Sequence, residues 1–162
     1  MIIRKVTSAD TEQLTNLVRE WIAGQTLFPP VDESFDFADL LRESDSLYYC
    51  VVAEDEEKKA MVGYALCTYN YAIWVGKSVM LENIFVKENY RRRGIGTRLL
   101  AAIHQHASEK GCLQVNFLTT NADKCEGFFK KIGARDLTDS EGWLMYTLSR
   151  ENMIATEKYL PK

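Results

Sequence analysis

The stretch Arg91-Arg92-Arg93-Gly94-Ile95-Gly96-Thr97 lies between a strand-like run and a helix-like run, and its reading decides the fold. Upstream, Val79-Met80-Leu81-Glu82-Asn83-Ile84-Phe85-Val86 is rich in residues that suit a buried strand. Downstream, Ile95, Leu99, Ile103 and Ala107 recur at every fourth position, and Leu100 and Ala102 widen the apolar stripe. With Gly111 as a stop, the spacing predicts a helix over Ile95–Lys110. A glycine-rich turn at a helix start leaves several amide N–H groups unpaired and pointing one way, and with the helix dipole they make a site for phosphate. Gly94 and Gly96 let the main chain approach a ligand, since no side chain intervenes. The preceding strand, the following helix and the three arginines favour anion binding over a turn whose glycines serve geometry alone.

The spacing does not fit the better-known phosphate loops. Neither Gly-x-x-x-x-Gly-Lys-Ser/Thr nor Gly-x-Gly-x-x-Gly with an acid about 20 residues on is present. Arg91-x-x-Gly94-x-Gly96 does resemble the pyrophosphate-binding signature of the GNAT superfamily of acetyl-CoA-dependent N-acetyltransferases. The resemblance implies acetyl-CoA as cosubstrate, its pyrophosphate resting on the amides of Arg92, Arg93, Gly94, Ile95, Gly96 and Thr97, with Arg91 opening the signature.

Composition narrows the remaining classes. A chain of 162 residues with 46% apolar content suits one domain with a sizeable core. A net charge of −3 with no basic run longer than three residues argues against nucleic acid as the main partner. No apolar run reaches membrane-spanning length. Cys50, Cys67, Cys112 and Cys125 form no C-x-x-C pair, and Met1-Ile2-Ile3-Arg4-Lys5 does not open a signal peptide, so a reduced, cytoplasmic protein is expected. His104 and His106, at i and i+2 on a helix, point to different faces, and nothing else has ligand spacing, so no metal is expected.

Periodicity predicts strands over Met1–Val6, Leu47–Ala53, Val62–Tyr71, the run to Val86, Cys112–Thr119 and Trp143–Leu148. Helices are expected from Ser8 onward (Leu14, Leu17, Val18 and Trp21 at helical spacing), over Asp36–Leu41, after Gly94, and over Asp123–Lys131. Gly24 to Ser34 reads as loop, the charged run Glu54–Lys59 as a solvated hairpin turn, and Trp74–Lys77 as a turn centred on Gly76. The fold class is α/β, a mixed central sheet flanked by helices in a single domain spanning residues 1–162, which is also what the GNAT fold would present.

From Leu47 to Trp143 the chain resembles, more specifically, the spermidine/spermine and thialysine acetyltransferase family. The carriers are Tyr49-Cys50-Val51-Val52-Ala53-Glu54, Trp74-x-Gly76-Lys77, Leu81-Glu82-x-x-x-Val86 and Tyr90-Arg91-x-x-Gly94-Ile95-Gly96. To these add Gly111-Cys112 and Gly133-Ala134-x-Asp136-Leu137 running into Glu141-Gly142-Trp143. The resemblance implies a small-molecule amine substrate and a homodimer, to which the tail from Arg150 could contribute.

Acetyl transfer needs a neutral amine, and a primary amine of pKa near 10.4 costs about 4–5 kcal/mol to deprotonate at pH 7. A carboxylate beside it can hold the cation and take its proton. Glu82 interrupts an apolar run just before the phosphate turn, and the resemblance assigns that position this role. It likewise implies that main-chain amides of Ile84, Phe85 and Val86 receive the thioester oxygen and the pantetheine arm. The family's usual tyrosine acid is replaced by Phe129, which cannot donate a proton. Water or Cys125 then takes its place, or the thiolate leaves unassisted, or the protein binds coenzyme without efficient turnover. Asn121 sits one place early relative to the asparagine that contacts coenzyme, and Lys131, with Lys130, is a candidate for its outer phosphate. Among substrate positions Glu82 and Glu141 are retained, while Gln25, Ala72 and Asn83 stand where the family has acids. Trp74 and Trp143 are candidates to stack on a cation or alkyl chain. The pocket therefore reads as suited to a short amine or a lysine-like amino acid such as thialysine rather than a long polycation. Acetylation of protein lysines or N-termini is the competing enzymatic reading.

Overall fold

The computed structural model describes residues 1–25, 47–119, 125–146 and 153. They fall into two compact units, Met1–Leu118 and Thr119–Lys162. In the first unit five strands form one sheet in the order β1 (Ile2–Lys5), β2 (Tyr48–Asp55), β3 (Ala60–Ala72), β4 (Gly76–Val86) and β5 (Val115–Phe117). Strands β1 to β4 are antiparallel neighbours, and β5 runs parallel to β4. A parallel neighbour needs a crossover, which helix α2 (Ile95–Glu109) supplies between β4 and β5. Helix α1 (Thr11–Ala23) follows one 3-10 turn at Ser8–Asp10.

Pleating assigns the side chains to faces. On one face Tyr48, Cys50, Val52, Tyr64 and Phe85 pack with Leu14, Leu17 and Val18 of α1. The opposite face receives α2, whose Leu99, Leu100, Ile103 and Ala107 are buried and which packs on β2, β3 and β4. Gly63 is the close-approach point within the sheet: a Cβ there would lie 2.7 Å from the Phe85 carbonyl oxygen. The entry to α1 is tied to the sheet by Arg4, which donates to both oxygens of Asp10 at 2.7 and 2.9 Å and to Glu54 at 2.7 Å. Asp10 is buried, and its ion pair with Arg4 is the main cause holding its carboxyl pKa down at about 2.

The second unit holds α3 (Glu126–Lys131) and α4 (Leu137–Glu141). Helix α4 was not expected from periodicity. Its start is Asp136, whose carboxylate accepts from the amides of Thr138 and Asp139, and its end is Gly142 at φ +74°. The expected strand Trp143–Leu148 is corrected over its described part: residues 143–146 adopt no regular structure, and Leu144, Met145 and Tyr146 are exposed. An apolar run alone makes no strand; a ladder needs a partner backbone, and among the described residues none pairs with this segment. The strand expected over Cys112–Thr119 shortens to Val115–Phe117, because its pairing with β4 covers only Val79–Leu81. The helix expected over Asp36–Leu41 and the loop from 26 to 34 lie outside the described residues, as does Asn121.

Candidate functional site

Glu82 occupies a β-bulge. Leu66 pairs with Asn83 and Cys67 with Leu81, so Glu82 has no partner across β3 and is the extra residue of its strand. The bulge aims an exposed carboxylate sideways, where Thr68 Oγ1 donates to its Oε1 at 2.5 Å. Pairing of β4 with β5 ends at Leu81 opposite Phe117. The next residues, Glu82 to Val86, therefore run past the end of β5 with one edge free of it. Ile84, Phe85 and Val86 lie on this stretch, Phe85 buried and its neighbours half-buried.

The strand leads through Glu88–Tyr90 into the arginine–glycine turn. Gly94 is the N-cap of α2 at φ +76°, a left-handed conformation glycine adopts without strain, and a Cβ there would meet nothing within 4 Å. The amides of Ile95, Gly96 and Thr97 head the helix and donate to no backbone acceptor among the described residues. Around them Arg91 to Gly94 and Thr97 are exposed, Gly96 is half-buried and the Ile95 side chain belongs to the core. Arg92 adopts φ +64°, costly for a side chain with a Cβ.

The three arginines are not equivalent. Arg91 Nε donates to the Val86 carbonyl at 2.9 Å with its guanidinium over the Phe85 ring. Arg93 donates to the Asn89 carbonyl at 2.9 Å and lies over Tyr90. Arg91 thus ties the turn to the strand, Arg93 ties it to the Glu88–Tyr90 segment, and all three arginines are exposed. Buried Tyr90 braces the turn from behind, its hydroxyl donating to Asp55 at 2.8 Å and accepting from Lys58 at 3.1 Å. The Glu54–Lys59 run is thus more than a solvated turn, a correction that charge composition could not supply.

Elsewhere in the first unit, Gln25 follows α1, and its main-chain N–H donates to the Ile22 carbonyl at 2.9 Å. Trp74 sits at the tip of the β3–β4 hairpin and is 69% exposed, so it is no core residue. Cys50 and Cys67 are core: burial pushes their thiols up to about 12 and about 11, which removes them as nucleophiles. His106 stacks on Tyr49, with ring centroids 3.4 Å apart, and its Nε2 lies 2.6 Å from the Tyr69 hydroxyl. A cleft of about 210 Å³ beside it, lined by Ile3, Tyr49, Ala102 and Glu109, contains neither Glu82 nor the glycine turn.

In the second unit Phe129 is buried and meets Phe128 edge to face at 5.1 Å. Lys130 pairs with Glu126 one helical turn away, and Lys131 is exposed. Glu141 pairs with Arg135 at 3.3 Å and accepts from Trp143 Nε1 at 3.0 Å. Among the described residues no group of three or more His, Cys, Asp or Glu could hold a metal ion, and no helix is long and apolar enough to cross a membrane.

A strand carboxylate, an open strand edge and a helix N-terminus entered through a glycine turn succeed one another along β4 and α2. The chain belongs to the acetyltransferase (GNAT) family, whose model matches residues 12–134, and it is an N-acetyltransferase. It is 32% identical over 162 residues to the thialysine N-epsilon-acetyltransferase of Bos taurus, covering 94% of this chain and 95% of the relative. It is also 30% identical to the spermidine/spermine N(1)-acetyltransferase-like protein 1 of Homo sapiens, covering 94% of this chain and 23% of that protein. Its fold is similar to the aminoglycoside N-acetyltransferase AAC(6')-Iy in complex with CoA, with a TM-score of 0.69 at 20% identity, covering 91% of this chain and 99% of that one. Enzymes of this family draw their acetyl group from acetyl-CoA.

Proposed function

We propose that the protein transfers acetyl from acetyl-CoA to the primary amine of a small molecule, either a lysine-like amino acid such as thialysine or a short di- or polyamine. Residues 1–162 act as one acetyltransferase domain, a cytoplasmic homodimer. The observation that carries this reading is the bulged Glu82, exposed and upstream of the unpaired amides of Ile95, Gly96 and Thr97. Glu82 holds the ammonium and takes its proton as the amine attacks the thioester carbon directly. The free amides of the Ile84–Val86 edge receive the carbonyl oxygen as it gains charge. The diphosphate rests on the helix start, with Arg91, Arg92 and Arg93 beside it and Lys131 at the outer phosphate. Gln25, Trp74 and Glu141 are the further substrate contacts.

Two properties of the relatives support this reading: the name of the Bos taurus protein gives thialysine, and that of the Homo sapiens protein gives spermidine and spermine. Phe129 offers no proton to the departing thiolate. A thiol pKa near 8.5 makes unassisted departure tolerable, so turnover is slow rather than absent. The test is thiol release from acetyl-CoA with thialysine, lysine, putrescine and spermidine, alongside calorimetric CoA binding. Release with at least one of these amines upholds the proposal. CoA binding without release for any amine or peptide overturns it in favour of a non-catalytic acyl-CoA module, and release with peptides alone indicates a protein acetyltransferase.

A further inference from the structure

Helix α1 covers its face of the sheet as far as Tyr64, Leu66 and Phe85. Toward the β3–β4 hairpin the same face turns polar. Register puts Thr68 opposite Met80, Asn70 opposite Ser78, and Met80 beside Asn116 of β5. Gln114, two residues before Asn116, donates its side-chain amide to Asn116 Oδ1. The Thr68–Glu82 hydrogen bond brings Glu82 onto this face, and Asn83, opposite Leu66, belongs to it as well. A face destined for core would be apolar at these positions; here Met80 stands among hydroxyls and amides.

Two side-chain atoms on this face are buried with no hydrogen-bond partner, Ser78 Oγ and Asn83 Oδ1. Ser78 is fully buried. An orphaned buried polar atom costs about 1–3 kcal/mol and calls for an explanation. Both orphans are on β4, one on either side of Glu82. Glu82 is the one charged side chain among the described residues on this stretch. Of the two lysines nearest in sequence to Glu82, Lys77 pairs with Tyr71 on the opposite face, where its Nζ lies 5.5 Å over the Tyr69 ring, and Lys87 is paired with Glu20 at 3.5 Å.

We propose that Thr68, Ser78, Gln114 and Asn116 form the subsite for the far end of the acceptor amine, and that it takes the zwitterionic head of an amino acid rather than a second lone ammonium. The inference rests on the reading of Glu82 as the amine's carboxylate and decides between the two substrate classes left open there. A zwitterion is neutral overall and needs donors and acceptors together, which hydroxyls and carboxamides supply. A second ammonium needs a second carboxylate, and among the described residues of this floor on β3, β4 and β5 Glu82 is the only one. The reach agrees. Successive positions on one face of a strand are about 7 Å apart, and five bonds of about 1.5 Å carry a lysine side chain about 6 Å from its amine to its α-carbon. An amine at Glu82 therefore sets the head group over Met80 and Asn116, with Ser78 and Gln114 beyond.

Lysine and 1,5-diaminopentane share one carbon chain and differ only by the carboxylate, so the pair isolates the head group. Thiol release should show kcat/KM for lysine about tenfold or more above that for the diamine, a difference of about 1.4 kcal/mol. Ser78→Ala removes an orphan and so keeps or raises the melting temperature, yet it should raise KM for lysine several-fold more than KM for the diamine. Asn116→Asp, by adding a charge, should move the ratio toward the diamine by about tenfold. A wild-type preference for the diamine, or substitutions that scale both amines equally, overturns the subsite. If neither amine is acetylated, calorimetry of the same two ligands on CoA-loaded protein decides the floor, while the catalytic reading of Glu82 stands or falls with the wider amine panel. Tighter binding of lysine that Ser78→Ala weakens upholds it; equal binding sinks it.

Discussion

Replacing Glu82 by Gln separates a catalytic carboxylate from a solvated one. The side chain is exposed, and its hydrogen bond from Thr68 can persist, because the amide oxygen of Gln accepts as well. Stability should stay within about 0.5 kcal/mol of wild type, the ordinary range for an exposed site. Losing a general base removes a factor of roughly 10²–10⁴, or about 3–5 kcal/mol of barrier. The two consequences differ by nearly an order of magnitude in energy, so a stability defect cannot mimic the kinetic one. The pH profile sharpens the test. With Glu82 present, bound ammonium and carboxylate carry the proton between them, and kcat/KM on total amine stays level from about pH 6 to 9. Without it only free amine reacts, and the variant's rate climbs about tenfold per pH unit below the amine pKa near 10.4. The measurement is thiol release across that range at saturating acetyl-CoA, with denaturant melts of both proteins. A loss smaller than about fivefold at pH 7, or a variant profile parallel to wild type, would refute the assignment.

Phe129→Tyr restores a proton donor at the family's usual place and should raise kcat by about tenfold or more in the same assay; an unchanged kcat would show that thiolate departure needs no acid there. Arg92→Gly relieves a left-handed non-glycine residue at φ +64° and should stabilise the fold by about 0.5–1 kcal/mol in denaturant melts while raising KM for acetyl-CoA. Asp10→Asn breaks the paired contact with Arg4 and should cost about 2 kcal/mol at pH 7. Because the folded carboxyl pKa is depressed to about 2, the wild-type contribution is present above the unfolded value near 4 and lost as pH falls through about 2. Melts of the two proteins from pH 7 to pH 2 should therefore converge in that window.

The anion turn was legible because its causes are local. Gly94 is required by a positive φ, Ile95 to Ala107 by a four-residue apolar repeat, and Gly111 by the left-handed stop at φ +71°. Glu82 was legible as an acid within an apolar run, although not as a bulge. Tyr90 carried no signal beyond its place before Arg91, since its partners Asp55 and Lys58 are more than thirty residues away. Helix α4 did have a trace in Asp136, whose capping role is visible only once Thr138 and Asp139 turn their amides toward it. Trp143–Tyr146 misled because a short apolar run shows which residues suit a strand, while a strand also needs a neighbour to pair with, and the described residues supply none.

Sequence alone determined the order of the described elements from β1 to β5, the glycine turn and the acid that precedes it, because backbone sterics and helical periodicity act over a few residues. Tertiary structure decided which side of the sheet that acid faces, what braces the turn, and which hydroxyls and amides surround the carboxylate. Those depend on a one-residue shift between Leu66/Cys67 and Leu81/Asn83. A register of that kind arises only when separate strands pair, and each such shift carries every later side chain to the other face.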